Sequence, residues 1–252
     1  MSDLTILFYT CHRISLYFAR QVRRALAATT TAPIIAVSQN GTLHGELEMS
    51  ADFSNRLAYP LIRVDAQPSI AQVYRNVLMA AKAAKTPYVA MAEDDCLYTS
   101  AHFEYRPSLD TFAYNEHRLV LTRRLSTDGK RREGIYFFNP RTQMAMGISS
   151  RELLVDTLEE RFALHPNPSL DTTVAKKAGV GEPGRYENNL GLPRRKLERF
   201  KWTAQPNITI NHPLSLMGRR AYRPDMPIYD TIEPWGAAGA LWDRIYGADG
   251  SI

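Results

Sequence analysis

The chain opens with a near-continuous apolar run, Leu4-Thr-Ile-Leu-Phe-Tyr9, as expected of a central β-strand covered on both faces, and the run breaks at Thr10-Cys11-His12-Arg13. A helix is expected from about residue 15 to 28. A second buried strand is expected over 33–37, ending in Ser38-Gln39-Asn40-Gly41, and a third over 61–64. From residue 69 to 84 the apolar positions Ile70, Val73, Val77, Ala80 and Ala84 fall on one helical face, with Ser69 placed to cap the helix. Pro87 stops that helix and opens another short apolar strand over 86–92. Strands alternating with helices over the first hundred residues predict βαβ units and an α/β fold with a mostly parallel sheet.

The strand over 86–92 ends in three consecutive acids, Glu93, Asp94 and Asp95. Three like charges at a strand end repel one another, so they suit a place where a cation sits among them. Carboxylate oxygens are hard ligands for Mg2+ or Mn2+ held together with a substrate's phosphates. In open α/β sheets, ligands gather beyond the carboxyl ends of the strands, where this triplet falls. The alternative is a solvated acidic turn.

The second half is less regular. Strands are expected over 135–138 and 143–148, and a helix over 150–162 behind the cap-like Ser149-Ser150. The stretch 179–193 is too rich in Gly, Pro and Asn for a regular element, and it reads as a functional lid or a disordered loop. The segment 207–213 is a short strand that delivers His212 into a break at Pro213. The proline-punctuated, aromatic stretch 224–236 leads into a short helix near 237–246, which would wrap the domain or close an acceptor cleft.

The 252 residues suffice for one large α/β domain with a full core, and no segment is long enough to span a bilayer. The N-terminus lacks a basic stretch followed by an apolar signal core, and two cysteines provide no disulfide framework, so a cytoplasmic protein is expected. Lysine plus arginine exceeds aspartate plus glutamate by 31 to 26, giving a net charge of +5. The excess concentrates at Arg123, Arg124, Lys130, Arg131 and Arg132, over 194–201 beside Phe200 and Trp202, and over 219–223. Basic residues interleaved with aromatics suit a phosphate backbone and an unstacked base. They equally suit an anionic membrane surface, or are simply a solvated face.

The order of these motifs resembles the GT-A glycosyltransferases, close to the family-2 type, over residues 4–105. That family's first strand commonly ends in Pro-Thr-Tyr-Asn-Arg. Tyr9-Thr10-Cys11-His12-Arg13 keeps the threonine and arginine and lacks the proline and asparagine. Tyr74-Arg75-Asn76 occupies the place of the family's Ala-Arg-Asn-like helix, and Glu93-Asp94-Asp95 that of its Asp-X-Asp motif. The resemblance implies one GT-A (Rossmann-like) domain over 1–252, with a nucleotide-sugar-binding half over 1–105 and an acceptor-binding half over 106–252. It implies Mn2+ or Mg2+ held by Asp95, with His212 as the late histidine that completes the metal shell. The alternative for His212 is a structural histidine before proline. Glu93 and Asp94 would then face ribose or donor-sugar hydroxyls, while Thr10, His12, Arg13, Ser38, Gln39, Arg75 and Asn76 would line the nucleotide pocket.

In the same family an acceptor-side segment carries an Asp that acts as general base, and 167–179 resembles it with Asp171 in that place. Its alternative is an acid near a helix start, favoured by the helix dipole. The reaction implied is inverting transfer of a sugar from a UDP-sugar to a hydroxyl. A chain of this size with a basic second half is similar to bacteriophage enzymes that add sugars to hydroxymethylated pyrimidines in DNA. The runner-up acceptor is a cell-surface glycan or lipid-linked saccharide. A nucleotidyltransferase would share the strand order, but its Gly-rich phosphate loop is missing after the first strand. A non-catalytic nucleic-acid-binding protein would leave the clustered acids unexplained.

Overall fold

The computed structural model describes residues 2–39, 53, 55, 57, 61–125, 132–139, 141–166, 181–213 and 226–247. Its larger sheet is built on β1 (Leu4–Thr10), which is buried along its whole length. Two parallel neighbours flank β1, namely β2 (Ile34–Gln39) and β4 (Tyr88–Glu93), with β3 (Ile62–Val64) beyond β2. On the other side, β9 (Gly147–Ser150) runs antiparallel between β4 and β6 (Thr111–Asn115), and β10 (Lys196–Phe200) closes the seven-stranded sheet as an edge strand parallel to β6.

Alternate side chains of β1 enter two cores. Leu7 and Tyr9 join Ile35, Val37, Val77 and Leu158 on one face, under helices α2 (Ile70–Ala83) and α3 (Arg151–Leu164). Leu4, Ile6 and Phe8 join Ile34, Ala36, Leu26 and Phe103 on the other. Helix α1 (Leu16–Thr29) contributes Leu26 and Ala27 there. Each of these helices starts where a serine side chain accepts a free backbone N–H of the first turn: Ser15 from Phe18 at 3.3 Å, Ser69 from Gln72 at 3.1 Å and Ser150 from Leu153 at 3.2 Å.

A second sheet of five strands carries β7 (Arg118–Leu125) antiparallel to β8 (Arg132–Phe138), β11 (Asn207–Ile210) parallel to β7, the short β5 (Cys96–Leu97) on β11 and β12 (Ile228–Tyr229) on β8. A two-stranded ribbon, β13 (Thr231–Ile232) and β14 (Gly236–Ala237), precedes helix α5 (Ala238–Tyr246). Leu241, Trp242 and Ile245 of α5 pack with Phe18 and Val22 of α1 and with Leu121 and Ile208 of this sheet. The C-terminal stretch thus covers the second sheet.

Two expectations change. Residues 143–148 are not one strand: Met144–Met146 form a 3-10 turn and the strand begins at Gly147. A Cβ on Gly147 would lie 2.4 Å from the Met91 methyl and 2.9 Å from the Tyr114 ring, so a larger residue there would have to displace both side chains. The Gly/Pro/Asn-rich stretch is not irregular over its described part, 181–193. It contains helix α4 (Arg185–Leu190), bracketed by Gly184 and Gly191, both at positive φ. Its Glu187 is fully buried against Arg161, whose Nε donates to Glu187 Oε1 at 2.7 Å. A segment anchored by a buried ion pair is core, so the lid reading does not hold for these residues. Of the basic clusters, Arg123 and Arg124 lie on β7, and most of 194–201 forms β10.

Candidate functional site

The acid triplet lies at the carboxyl end of β4, beside the carboxyl end of β1. Thr10 Oγ1 donates to Asp94 Oδ2, and Tyr9 Oη donates to Glu93 Oε1 at 2.5 Å, so the two adjoining strand ends are tied together through the acids. Asp95 is buried. Its Oδ1 accepts from the Cys96 thiol at 3.2 Å. Its backbone carbonyl accepts from Ile210 N at 2.8 Å, because β5 and β11 pair with Thr209 opposite Cys96. That pairing returns the chain to the acids and sets His212 Nε2 3.6 Å from Asp95 Oδ2. The His212 ring packs T-shaped against Phe18, with centroids 5.9 Å apart.

Three donor atoms of Glu93, Asp95 and Cys96 lie within 4.8 Å of one another, the only such grouping among the described residues. Two ligands of one ion with bonds of about 2.1 Å lie at most about 4.2 Å apart. The Asp95–His212 separation therefore fits a shared cation. The donor set is hard: burial first, and then Asp95 and Glu93, push the Cys96 thiol well above its ordinary range, so it remains protonated beside the carboxylates. Asp94 keeps some surface, yet desolvation, followed by the charge of Asp95, raises its carboxyl to about 6 despite the Thr10 bond and the pull of Arg23 and His212. Carboxylates strained in this way gain from a cation placed between them.

The remaining expected residues divide into two groups. His12 adopts positive φ, 52°, and its Nε2 lies 2.6 Å from Ser38 Oγ at the end of β2. Both face the same sheet edge as the acids. Arg13 is half-buried next to Cys11, whose thiol burial and then the charge of Asp94 push up to about 12 against the pull of Arg13. Gln39 and Asn76 are fully buried and bonded to each other at 3.1 Å, with Gln39 Nε2 also on the Ala66 carbonyl and Asn76 Oδ1 accepting from Gln72. Arg75 lies over the Phe162 ring, 4.4 Å from its centroid, and donates to the Pro166 carbonyl. These three side chains tie α2 to β2 and α3. Asp171 lies outside the described residues.

Sequence reasoning missed four residues that hold the site. Besides Tyr9, these are Gln143, whose Nε2 donates to Glu93 Oε2 at 3.3 Å, Thr209, which donates to Gln143 Oε1 at 2.9 Å, and the buried Arg118 behind Thr209. The last three come from the second sheet and the start of the 3-10 turn, and no local spacing links them to the acids. A buried arginine and glutamine within apolar strands were the only available signal.

Most of the described basic face is neutralised. Arg195 pairs with Glu160 at 2.6 Å, Arg199 with Glu116 at 2.8 Å, Lys196 with Asp110, and Arg123 with Asp243. Residues 126–131 and 214–225 lie outside the description.

No protein-family model matches the sequence, and no curated protein matches it. Solved structures do. TarS 1-349 from S. aureus, in complex with UDP-GlcNAc, superposes with a TM-score of 0.50 at 11% identity, over 89% of this chain and 63% of that one. The mannosyltransferase PcManGT from Pyrobaculum calidifontis, in complex with GDP-Man and Mn2+, gives 0.50 at 9% identity, over 84% of this chain and 57% of that one. The chain thus spans less than two thirds of the length of these neighbours. Among the described residues no helix is long and apolar enough to cross a membrane. With a mostly parallel seven-stranded sheet, flanking helices and acids at the carboxyl end of β4, the chain has the fold of the GT-A-type glycosyltransferases.

Proposed function

We propose that the protein is a metal-dependent, inverting glycosyltransferase that moves a sugar from a UDP-sugar to a hydroxyl, acting as one unit whose first 105 residues bind the donor. The observation that carries the reading is the return of His212 to Asp95, 3.6 Å apart, at the carboxyl edge of the parallel sheet. Asp95 and His212 hold Mn2+ or Mg2+, which when bound stabilises the charge developing on the leaving diphosphate. Glu93 and Asp94, acceptor-only when ionised, orient ribose or sugar hydroxyls, and Thr10 keeps Asp94 in place. His12, Arg13 and Ser38 line the base and ribose. Asp171 takes the proton of the attacking hydroxyl as its oxygen bonds to the anomeric carbon. The bond from that carbon to the diphosphate breaks, and the electron pair leaves with UDP.

The proposed acceptor is a 5-hydroxymethylpyrimidine in DNA. It is supported by the net charge of +5 and by the exposed Phe200, next to Lys201 in the chain. The pairing of Arg195, Lys196, Arg199 and Arg123 with acids leaves this component with less free charge than the sequence carries.

The test is UDP-glucose or UDP-GlcNAc with Mn2+ on duplex DNA containing 5-hydroxymethylcytosine, against unmodified DNA and against glycan and lipid-linked acceptors, followed by mass spectrometry. A sugar added only to the modified base supports both parts. Transfer to a saccharide, or UDP release alone, retains the transferase and removes the DNA acceptor. Absence of turnover with every nucleotide sugar removes the transferase.

A further inference from the structure

Glu93 is gripped at both carboxylate oxygens by uncharged donors. Tyr9 Oη reaches Oε1 at 2.5 Å from β1, and Gln143 Nε2 reaches Oε2 at 3.3 Å from the start of the 3-10 turn that leads into β9. The Glu93 backbone N–H is also bonded, to Tyr98 Oη at 3.1 Å. The Tyr9 side of this grip is local to the paired strand ends. The Gln143 side is the end of a longer chain of bonds.

A glutamine amide presents two faces of opposite polarity, and here only one orientation works. Its Oε1 accepts from Thr209 Oγ1 at 2.9 Å, while its Nε2 serves Glu93 Oε2 and, at 3.6 Å, the Cys96 sulfur. The reverse orientation would set a carbonyl against a carboxylate. Thr209 has a single hydroxyl proton, and its neighbours are Gln143 Oε1 at 2.9 Å, Arg118 Nη1 at 3.5 Å and the Cys96 sulfur at 3.7 Å. A guanidinium has no acceptor and the sulfur is a weak and distant one, so the proton goes to Gln143. Arg118 is itself immobile, with Nη2 on the carbonyls of Asn139 and Arg141 at 2.9 Å each. Arg118, Thr209 and Gln143 are all buried, so water does not compete for these bonds.

We propose that Gln143, held in one orientation by Thr209 and Arg118, is a positioning residue that fixes the carboxylate of Glu93 for binding the donor. This rests on the glycosyltransferase reading for what Glu93 contacts, but not for the relay itself. The relay also couples the two halves of the chain, because a carboxylate in the first 105 residues takes its direction from residues 118, 143 and 209. A hydrogen bond to a charged group contributes about 1.5–3 kcal/mol, which is roughly a 10- to 100-fold change in an equilibrium constant. Since a ground-state hydroxyl contact would be lost, the change falls on the KM for donor and leaves kcat nearly untouched.

The experiment compares Gln143→Met, Thr209→Val and the double variant, with Thr209→Ser as the rescue. Each is first confirmed as folded by its thermal melt. The expected result is a rise of about tenfold or more in donor KM for each single variant, a double variant no worse than Gln143→Met, and recovery in Thr209→Ser. Independent, additive penalties, or an unchanged KM in folded Thr209→Val, overturn the proposal.

The side-chain amide of Gln143 is followed in parallel by 15N NMR. A slowly exchanging, dispersed Nε2 pair that collapses to solvent-like exchange in Thr209→Val supports the relay, whereas indifference to that substitution overturns it. If the wild type turns over no nucleotide sugar, the transferase reading fails and this signal alone decides the relay.

Discussion

Replacement of Arg161 by methionine should be among the most damaging single changes in the chain. Its guanidinium is 1% exposed and lies between two rings, 4.8 Å from the centroid of Tyr74 and 4.1 Å from that of Tyr186. Nε donates to Glu187 Oε1 at 2.7 Å, Nη2 lies 2.6 Å from the same oxygen, and Nη1 donates to the Gly181 carbonyl at 2.8 Å. Methionine fills much of the volume and removes the charge, leaving the buried Glu187 carboxylate with the Gly184 N–H at 2.7 Å among its remaining partners. Breaking a buried pair in this way costs about 3–5 kcal/mol. For a chain of this size, that is a drop of roughly 6–20 °C in melting temperature.

Adding Glu187→Gln removes the stranded charge while keeping an oxygen for Gly184, so the double variant should regain about half or more of the loss. Urea unfolding and thermal melts of wild type, both singles and the double measure this directly. A single variant that loses less than about 1 kcal/mol, or a double whose loss equals the sum of the singles, would refute the idea that 181–187 is held by this pair.

Asp95→Asn should lower transfer activity by about 100-fold or more and weaken Mn2+ binding in titration calorimetry while leaving the fold intact. Arg75→Ala should leave UDP affinity within about twofold, because its guanidinium is spent on Phe162 and Pro166, and should lower stability by roughly 1–2 kcal/mol in urea melts. His102 is buried between Tyr98 and Trp202, and burial depresses it to about 3. The folded state keeps this ring neutral while the unfolded chain protonates it near 6.5. Its contribution is therefore full above pH 6.5 and is lost as the pH falls from there towards 3. Between pH 7 and pH 5 the loss amounts to about 2 kcal/mol from this group. His102→Phe should remove that part of the pH dependence in urea melts at the two pH values, and an unchanged difference would contradict the assignment.

Where bonding partners are close in sequence, the sequence was enough. The buried run of β1, the serine caps of α1, α2 and α3 and the acids after β4 are written in periods of two and 3.6 and in single-residue punctuation, because those patterns report local backbone geometry and one-sided burial. Local pattern misled where the deciding contact was distant. The run 181–193 has the composition of a loop, yet Arg161 from another helix draws it into the core. The internal partners of Arg75 and Asn76, namely Phe162, Pro166, Gln72 and Gln39, were likewise not visible in the local pattern. The basic run of β10 reads as a charged face until Asp110, Glu116 and Glu160 are brought alongside it.

The sequence by itself determined the α/β class, the position of the acids and the pairing of chemistry suited to a cation. Only the tertiary structure decided which residues surround them. His212 reaches Asp95 because β11 pairs with β5, and Gln143, Thr209 and Arg118 converge on Glu93 because two sheets meet at that edge. The contacts of the site need atoms within about 3–4 Å of one another, and the chain separates Asp95 from His212 by 117 residues. Strand pairing, which no local pattern encodes, supplies that proximity.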